Sequence, residues 1–217
     1  MNETEMMQSA AARRHALVGP ADLWESKRIF QKDFLLKAGL KPHHKLLDFG
    51  CGTLRGGIPL INYLDAGNYI GLDVRTETLK EACLEIEESG LDIKRPTIIH
   101  CHNLSIISFS DGVSFIWAFS VLIHLSDEKL DQFLEFASRS LSPAGIIYAN
   151  VFFGNRPDGK WRNFSLVRRT HDFYKSRCYD YGLAIEDIGP LRNFGHISHE
   201  KTQEEVDSHR MLRIFAR

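Results

Sequence analysis

The sequence has few cysteines, and none of them lies close to another. The four cysteines are at positions 51, 83, 101 and 178, and no Cys-x-x-Cys pair occurs. This spacing is not typical of a disulfide framework or of a zinc site. The simplest interpretation is a chain that works in a reducing, cytoplasmic setting without a metal ion.

The sequence also lacks an excess of charge of either sign and any long apolar run near its start. The formal net charge is −1, and 43% hydrophobic with 25% charged residues is ordinary for a globular protein. We therefore expect neither a nucleic-acid surface nor a membrane surface spread over the molecule. The charge balance gives no indication of oligomeric state.

No internal repeat, low-complexity segment or linker divides the 217 residues. Residues 1–19 contain no secretory cleavage pattern and are predicted to form a loose arm. An amphipathic helix is predicted over residues 22–37, and Trp24 in its first turn indicates that it covers a surface. We expect residues 1–41 to form this arm and a lid helix, and residues 42–217 to form a single domain.

Apolar strands alternate with amphipathic helices from residue 45 onward. Ser126 is the expected cap of one helix, and the acidic residues of the helix over residues 76–89 are expected to face water. Two strand-like segments end the chain and indicate a terminal hairpin. The pattern predicts an α/β fold with a Rossmann-like doubly wound sheet, mostly parallel with an antiparallel C-terminal strand. The predicted strands are residues 45–49, 68–74, 97–101, 113–121, 145–153, 183–189 and 210–216.

The stretch LLDFGCGTLRGG, residues 46–57, places glycines directly behind a short apolar strand. Such a turn binds a ligand, because glycine lets backbone N–H groups approach it closely and the next helix offers unpaired donors. Asp73 ends the following strand 21 positions after Gly52, which suits an acid that accepts hydrogen bonds from ribose hydroxyls. This spacing fits both NAD and S-adenosylmethionine. Arg55 stands where the dinucleotide fingerprint needs a glycine, and Asp48 before the turn suits the amino group of S-adenosylmethionine.

Four segments in order resemble the class I S-adenosylmethionine-dependent methyltransferases: LLDFGCGT, YIGLD, FSVLIHLSDEKL and LSPAG. Leu54 departs from the commonest first motif, which has a third glycine there. The resemblance implies that Ser120 lines the transfer pocket, that the first motif holds the methionine part of the cofactor, that Asp73 holds the ribose, and that residues after the second and third strands face adenine. The implied cofactor-binding residues are Asp48, Gly50, Cys51, Gly52, Thr53, Asp73, Val74, Asn103, Leu104 and Ser120.

His124 follows the fourth predicted strand, where the family often carries a histidine near the transferring methyl group. It is the candidate general base if the acceptor is a hydroxyl, and the alternative is a histidine that orders the backbone before Ser126. Arg55 either faces solvent or meets a carboxylate. His196 and His199 provide only two candidate metal ligands. They lie in a loop and have no evident carboxylate partner, so we predict no metal site.

Residues 154–177 hold seven basic residues against two acidic ones, in a segment expected at the ligand-binding edge of the sheet. This segment is either a solvated helix surface or a site for an anionic acceptor. On the second interpretation Arg168 and Arg169 form an anion clamp, and Trp24 covers the acceptor. The sequence thus predicts an O-methyltransferase for a hydroxylated, anionic metabolite or a saccharide. The alternatives are an NAD(P)-dependent reductase, which would need a Tyr-x-x-x-Lys pair that is not recognisable here, and a non-catalytic cofactor-binding protein.

Overall fold

The computed structural model describes residues 3–19, 21–199 and 202–217, and within them a twisted seven-stranded sheet forms the centre of the fold. The strands in chain order are β1 (Leu46–Phe49), β2 (Tyr69–Asp73), β3 (Thr97–His100), β4 (Val113–Ala118), β5 (Leu141–Phe152), β6 (Gly159–Trp161), β7 (Phe164–Leu166), β8 (Leu183–Pro190) and β9 (His209–Ala216). The sheet order is β3-β2-β1-β4-β5-β9-β8, and β6 and β7 form a separate hairpin. Strands β1 to β5 are parallel, whereas β9 is antiparallel to both β5 and β8. The predicted fold class is confirmed.

Helices flank the sheet on both faces. They are α1 (Glu3–Val18), α2 (Trp24–Lys37), α3 (Gly57–Tyr63), α4 (Thr76–Glu88), α5 (Asp127–Ser140), α6 (His171–Asp180) and α7 (Gln203–Ser208). Ser126 caps α5 as predicted, because its hydroxyl accepts a hydrogen bond from the backbone N–H of Lys129. Thr170 caps α6 in the same way, at 3.1 Å from the N–H of Phe173.

Alternating side chains of each central strand enter two separate apolar cores, one on each face of the sheet. In β4, Ile116 packs with α5 and α6, while the fully buried Trp117 packs with α2, α3 and α4. Burial on both faces explains why β4 is apolar nearly throughout. The sheet is thus a rigid platform whose carboxyl edge carries the loops described below.

Helix α2 is part of this platform, and its residues Lys27 and Gln31 also line the cavity described below. Leu35 is fully buried, and Phe34 packs edge-on against Tyr148 at 5.2 Å. The indole N–H of Trp117 donates a 2.9 Å hydrogen bond to the side chain of Gln31. Trp24 itself is only 8% exposed. The expected domain boundary at residues 41 and 42 stays a prediction.

The N-terminal segment is a helix rather than the loose arm that the sequence predicted. In α1, Arg13 pairs with Glu81 at 2.8 Å and Arg14 pairs with Glu88 at 2.7 Å, both on α4. Glu85 of α4 is buried and pairs with Arg28 of α2 at 2.6 Å. The acidic face of α4 is therefore not simply solvated, because it docks two other helices.

Two short elements in the C-terminal hairpin connection were also missed. A 3-10 helix covers Leu191–Phe194, and α7 begins at a capping box in which Thr202 and Glu205 exchange side-chain and backbone hydrogen bonds.

No helix in the part of the chain that the structure describes has both the length and the apolar composition needed to cross a bilayer.

Candidate active site

A cavity of about 860 Å³ opens at the carboxyl ends of the parallel strands. Its lining includes the residues that directly follow the first four strands: Gly50, Val74, Cys101 and Phe119. In open parallel sheets this edge is where ligands bind, because strand order reverses there and the adjacent crossovers leave a crevice. The predicted ligand turn lies at this edge.

At two positions of the turn after β1 the backbone and its neighbours favour glycine. Gly50 has a φ of 75°, and a Cβ at that position would lie 2.4 Å from Cγ2 of Val121. Gly52 has a φ of 59°, and a Cβ there would lie 3.0 Å from Val18 of α1. Leu54, which replaces the third glycine, keeps a left-handed φ of 63° and is fully buried. The turn is thus a tight cradle in which a side chain at Gly50 or Gly52 would clash with neighbouring residues.

Asp48 lies beneath this cradle, where it is 4% exposed and lines the cavity. The hydroxyl of Tyr69 donates a 2.6 Å hydrogen bond to its carboxylate. Burial nevertheless raises the pKa of Asp48 to about 7, since desolvation outweighs that hydrogen bond. The carboxylate has no cationic side chain to neutralise it among the described residues, so a positively charged group in the cavity would be its natural partner.

Asp73 is also buried, and both of its carboxylate oxygens already accept hydrogen bonds. The backbone N–H of Gly52 donates at 3.1 Å and that of Arg75 at 2.9 Å. The Arg75 guanidinium adds contacts of 3.3 Å to each oxygen. Ribose hydroxyls would therefore share Asp73 with Arg75 or displace its guanidinium.

Cys51, Thr53, Val74, Leu104 and Ser120 all line the cavity, as the sequence predicted for cofactor-binding residues. Burial raises the pKa of the Cys51 thiol well above its ordinary value, so this cysteine is an unreactive packing group. Val74 is 49% exposed and offers an open apolar face.

Asn103 does not line the cavity, in contrast to the prediction. Its side-chain oxygen accepts hydrogen bonds from the backbone N–H and the hydroxyl of Ser105, at 3.0 and 2.7 Å, and so caps a 3-10 helix. Asparagine readily caps in this way, and the oxygen predicted to face adenine is thereby used. Cys101 and His102 line the cavity beside it, and their position directly after β3 was the signal that could have indicated them.

His124 lies in a 3-10 helix after β4 and lines the cavity. Its Nδ1 is 2.5 Å from the backbone oxygen of Ser165 in β7. A carbonyl oxygen only accepts, so Nδ1 carries the proton and Nε2 of the neutral ring has a free lone pair. Burial lowers the pKa of His124 below its ordinary value, which keeps the ring neutral at physiological pH.

Arg55 is buried and lines the cavity, which contradicts the solvated alternative. Its Nη1 donates to the backbone oxygen of Val18 at 3.3 Å, and its Nε has no partner among the described residues. Burial and the neighbouring Arg28 lower its pKa to about 10. A buried guanidinium without a carboxylate partner is costly unless an anion neutralises it, so Arg55 is suited to an anionic group of a ligand.

The three residues predicted to bind the acceptor have different positions. Trp24 does not line the cavity, because its ring lies between the guanidinium groups of Arg28 and Arg55, at 5.7 and 5.8 Å. Arg169 does not line it either, since it pairs with Asp127 at 2.9 Å and with Asp158.

Arg168 lines the cavity, and its guanidinium lies over the ring of Phe152 at 5.6 Å. The described residues give it no ion pair with an acidic side chain. The predicted clamp of two arginines is thus reduced to Arg168.

The other two histidines considered from the sequence also border the cavity. His196 is buried with its ring edge-on to Phe30 at 5.0 Å, and His199 lies 2.9 Å from Asp22. No group of three or more metal-binding side chains occurs within residues 3–19, 21–199 and 202–217.

Two segments that the sequence did not place at the site form its roof. One is the end of α1, where the backbone oxygens of residues 16, 17 and 18 accept hydrogen bonds from Arg162, Arg75 and Arg55, respectively. The other is the β6–β7 hairpin, which contributes Trp161 and Phe164 to the lining. Arg162 joins the tip of the hairpin to α1.

Comparison with known proteins agrees with this geometry. Residues 46–145 match the family model described as a methyltransferase domain. No curated protein matches the sequence significantly.

Three solved structures share the fold at low sequence identity. The YcgJ protein from Bacillus subtilis has a TM-score of 0.65 at 14% identity, over 87% of this chain and 98% of that one. Magnesium protoporphyrin IX methyltransferase from Synechocystis PCC 6803, with bound S-adenosylmethionine, has a TM-score of 0.63 at 16% identity, over 88% and 80%. The glycopeptide N-methyltransferase MtfA has a TM-score of 0.65 at 12% identity, over 88% and 90%.

The family match coincides with the segment that carries the glycine turn, Asp73 and the His124 loop. It favours S-adenosylmethionine over a nicotinamide cofactor. Residues 46–145 therefore match a methyltransferase domain, and this match together with the fold supports a class I S-adenosylmethionine-dependent methyltransferase.

Proposed function

We propose that this methyltransferase transfers the methyl group to a hydroxyl oxygen of a small, anionic acceptor. The observation that carries this proposal is the state of His124. Its Nδ1–H is fixed on the carbonyl of Ser165, and its basic Nε2 is left to the cavity that holds the glycine turn. A hydroxyl needs such a base, because it must lose its proton as the new bond to carbon forms.

The residues around the turn fit the cofactor. Asp48 is buried without a cation, Arg55 is buried without an anion, and the two groups suit the amino and carboxylate groups of the methionine portion. Gly50 and Gly52 leave backbone room beside them. We assign Asp73 to the ribose hydroxyls, and Val74 and Leu104 to the adenine. Asn103 is left out of this assignment because its oxygen is already used.

The bound cofactor supplies an activated methyl group on a good leaving group. The protein's contribution is mainly orientation, since an aligned nucleophile gains most of its rate from being held in place. His124 accepts the hydroxyl proton at Nε2 and holds it as an imidazolium, and Ser165 keeps the ring in the orientation for that step. Ser120, two residues after β4, lines the same cavity.

The charge of the acceptor is inferred from Arg168. It is the arginine of the basic segment that lines the cavity without an acidic partner among the described residues. Two of the structurally similar methyltransferases are named for chemically different acceptors, a porphyrin and a glycopeptide. The fold therefore does not determine the acceptor, and the inference depends on the residues of this chain.

The test compares His124→Gln with the wild type. The glutamine amide can still donate to Ser165 but is not a base, so we expect turnover to fall by ~100-fold while the cofactor dissociation constant stays the same. His171→Gln, on α6 outside the cavity lining, is the matched control. Methyl transfer is measured by mass spectrometry and cofactor binding by calorimetry.

The pH profile gives a second readout. The base must be neutral, so wild-type activity should be lost as the pH falls through a pKa below the ordinary histidine value of 6.5. A His124→Gln enzyme that keeps full turnover in its folded fraction, or only loses thermal stability, would contradict the role of base.

A further inference from the structure

One wall of the cavity is an aromatic surface formed by His124, Trp161 and Phe164. The imidazole lies 6.3 Å from the indole with an angle of 25° between the planes, and 5.4 Å from the phenyl ring at 41°. Trp161 and Phe164 are 6.2 Å apart at 25°. Trp161 is 38% exposed, although tryptophan usually buries most of its surface.

The β6–β7 hairpin, which carries Trp161 and Phe164, is fixed to the 3-10 helix that carries His124. The N–H of Val167, just after β7, donates a 2.8 Å hydrogen bond to the backbone oxygen of Ile123. Ser165 of the same hairpin accepts a hydrogen bond from Nδ1 of His124 at its carbonyl oxygen. The aromatic surface and the basic Nε2 therefore keep a constant relative position, as recognition of a flat ligand at a reacting atom requires.

The surroundings of this surface are mixed: Arg162 lies over the ring of Trp161 at 4.8 Å and Arg75 over the ring of Phe164 at 5.6 Å, whereas the part near His124 is aliphatic. The cavity lining next to His124 in sequence and on β7 consists of aliphatic side chains: Val121, Ile123, Leu125 and Leu166. A saccharide placed against these aliphatic side chains would leave the hydroxyl groups that face them without hydrogen-bond partners, at a desolvation cost. A flat aromatic ring has apolar faces and carries its polar groups at the edge.

Arg168 lies against the same hairpin. The Nη1 atom of Arg168 is 3.9 Å from where a Cβ on Gly159 of β6 would lie. Gly159 pairs with Leu166 of β7 in the hairpin ladder. A ligand stacked on Trp161 could thus reach Arg168 with an acidic substituent at its edge.

We infer that the acceptor is a planar aromatic compound with a phenolic hydroxyl and an acidic substituent, stacked on Trp161 and Phe164 with its hydroxyl edge toward Nε2 of His124. This inference rests on the proposed function and selects the aromatic class over the saccharide class. The ring lies against Trp161, its hydroxyl meets Nε2 of His124, and its acidic group meets Arg168.

The test uses the full chain with S-adenosylhomocysteine present, so that binding occurs without turnover. Protocatechuate and gluconate are the two probes, because both carry one carboxylate and adjacent hydroxyls but only the first is planar. Trp24 and Trp117 are 8% and 0% exposed, so a change in tryptophan fluorescence on binding reports chiefly on Trp161. We expect protocatechuate to bind at least ~10-fold more tightly than gluconate and to quench the fluorescence.

Two variants separate stacking from folding. Trp161→Phe should keep the affinity for protocatechuate within about 3-fold but lose the quenching, whereas Trp161→Ala should weaken binding by ~10-fold. Tyr179→Ala, on an exposed aromatic outside the cavity, should behave as the wild type. Binding of gluconate as tight as that of protocatechuate, binding of neither probe, or full affinity in Trp161→Ala overturns the inference. Calorimetry with S-adenosylmethionine alone shows separately whether cofactor binding, and with it the proposed function, holds.

Discussion

Asp48 is a buried acid whose ionisation should cost the folded protein stability in the absence of cofactor. Its pKa is raised from the ordinary 3.8 to about 7 by burial. The folded state therefore holds this proton more tightly than the unfolded state, and stability falls as the pH rises from about 4 to about 7. With about 1.36 kcal/mol for each tenfold change in proton affinity, the loss is about 4 kcal/mol at pH values above that range.

The perturbation is Asp48→Asn, which keeps the hydrogen bond from Tyr69 but cannot ionise. Near pH 4 the variant and the wild type should unfold alike. Near pH 8 the cofactor-free variant should be more stable by about 4 kcal/mol, which raises the melting temperature by about 8 to 16 °C for a chain of this size. Asp172→Asn, at a carboxylate whose side chain is 97% exposed, should show no such difference.

The assay is thermal unfolding of cofactor-free protein across this pH range, followed by calorimetry with S-adenosylmethionine. If the ionised carboxylate pairs with the amino group of the cofactor, wild-type affinity should rise with pH up to about 7 as binding releases the proton. The affinity of Asp48→Asn should be weaker and less dependent on pH. Parallel melting curves for the two proteins from low to high pH would refute the reasoning.

Two further predictions concern the roof and the basic segment. A variant without residues 1–19 should stay folded but bind the cofactor more weakly. A variant without residues 1–37 should be unfolded, as measured by circular dichroism, because core side chains of α2 contribute about 2 to 5 kcal/mol each to the free energy of unfolding. Arg168→Ala should raise the Michaelis constant for an anionic acceptor in a salt-dependent way, while Arg169→Ala should cost about 1 kcal/mol of stability and leave that constant unchanged. A folded protein without residues 1–37, or equal effects of the two arginine variants on the Michaelis constant, would contradict these predictions.

The sequence predicted those features that depend on local pattern. Apolar periodicity indicated the strands and most helices, because burial on one or two faces leaves a direct trace in residue spacing. The glycine turn and Asp73 were recognisable because a tight turn demands glycine and a ribose site demands an acid at the end of a strand. His124 was found from its position after β4, although its tautomer follows from the Ser165 contact alone.

Features that depend on distant partners were not predictable. The position of α1 is set by ion pairs of Arg13 and Arg14 with residues of α4 almost 70 positions or more away. The sequence suggested that Arg169 could bind an anionic ligand, because sequence spacing does not show that Asp127 and Asp158 form ion pairs with it.

Short elements were missed for a different reason. The strands of the β6–β7 hairpin have three residues each, too few to display a period.

The three arginines that bind the last turn of α1 make the exchange of ligands a collective event. Arg55, Arg75 and Arg162 come from three different elements and meet three consecutive backbone oxygens. To move α1 away from the glycine turn, the protein must break all three hydrogen bonds, including the one from Arg162 that joins the β6–β7 hairpin to α1. On the proposed function, we expect this opening to link the release of cofactor and acceptor and, rather than methyl transfer, to limit the rate of the full cycle.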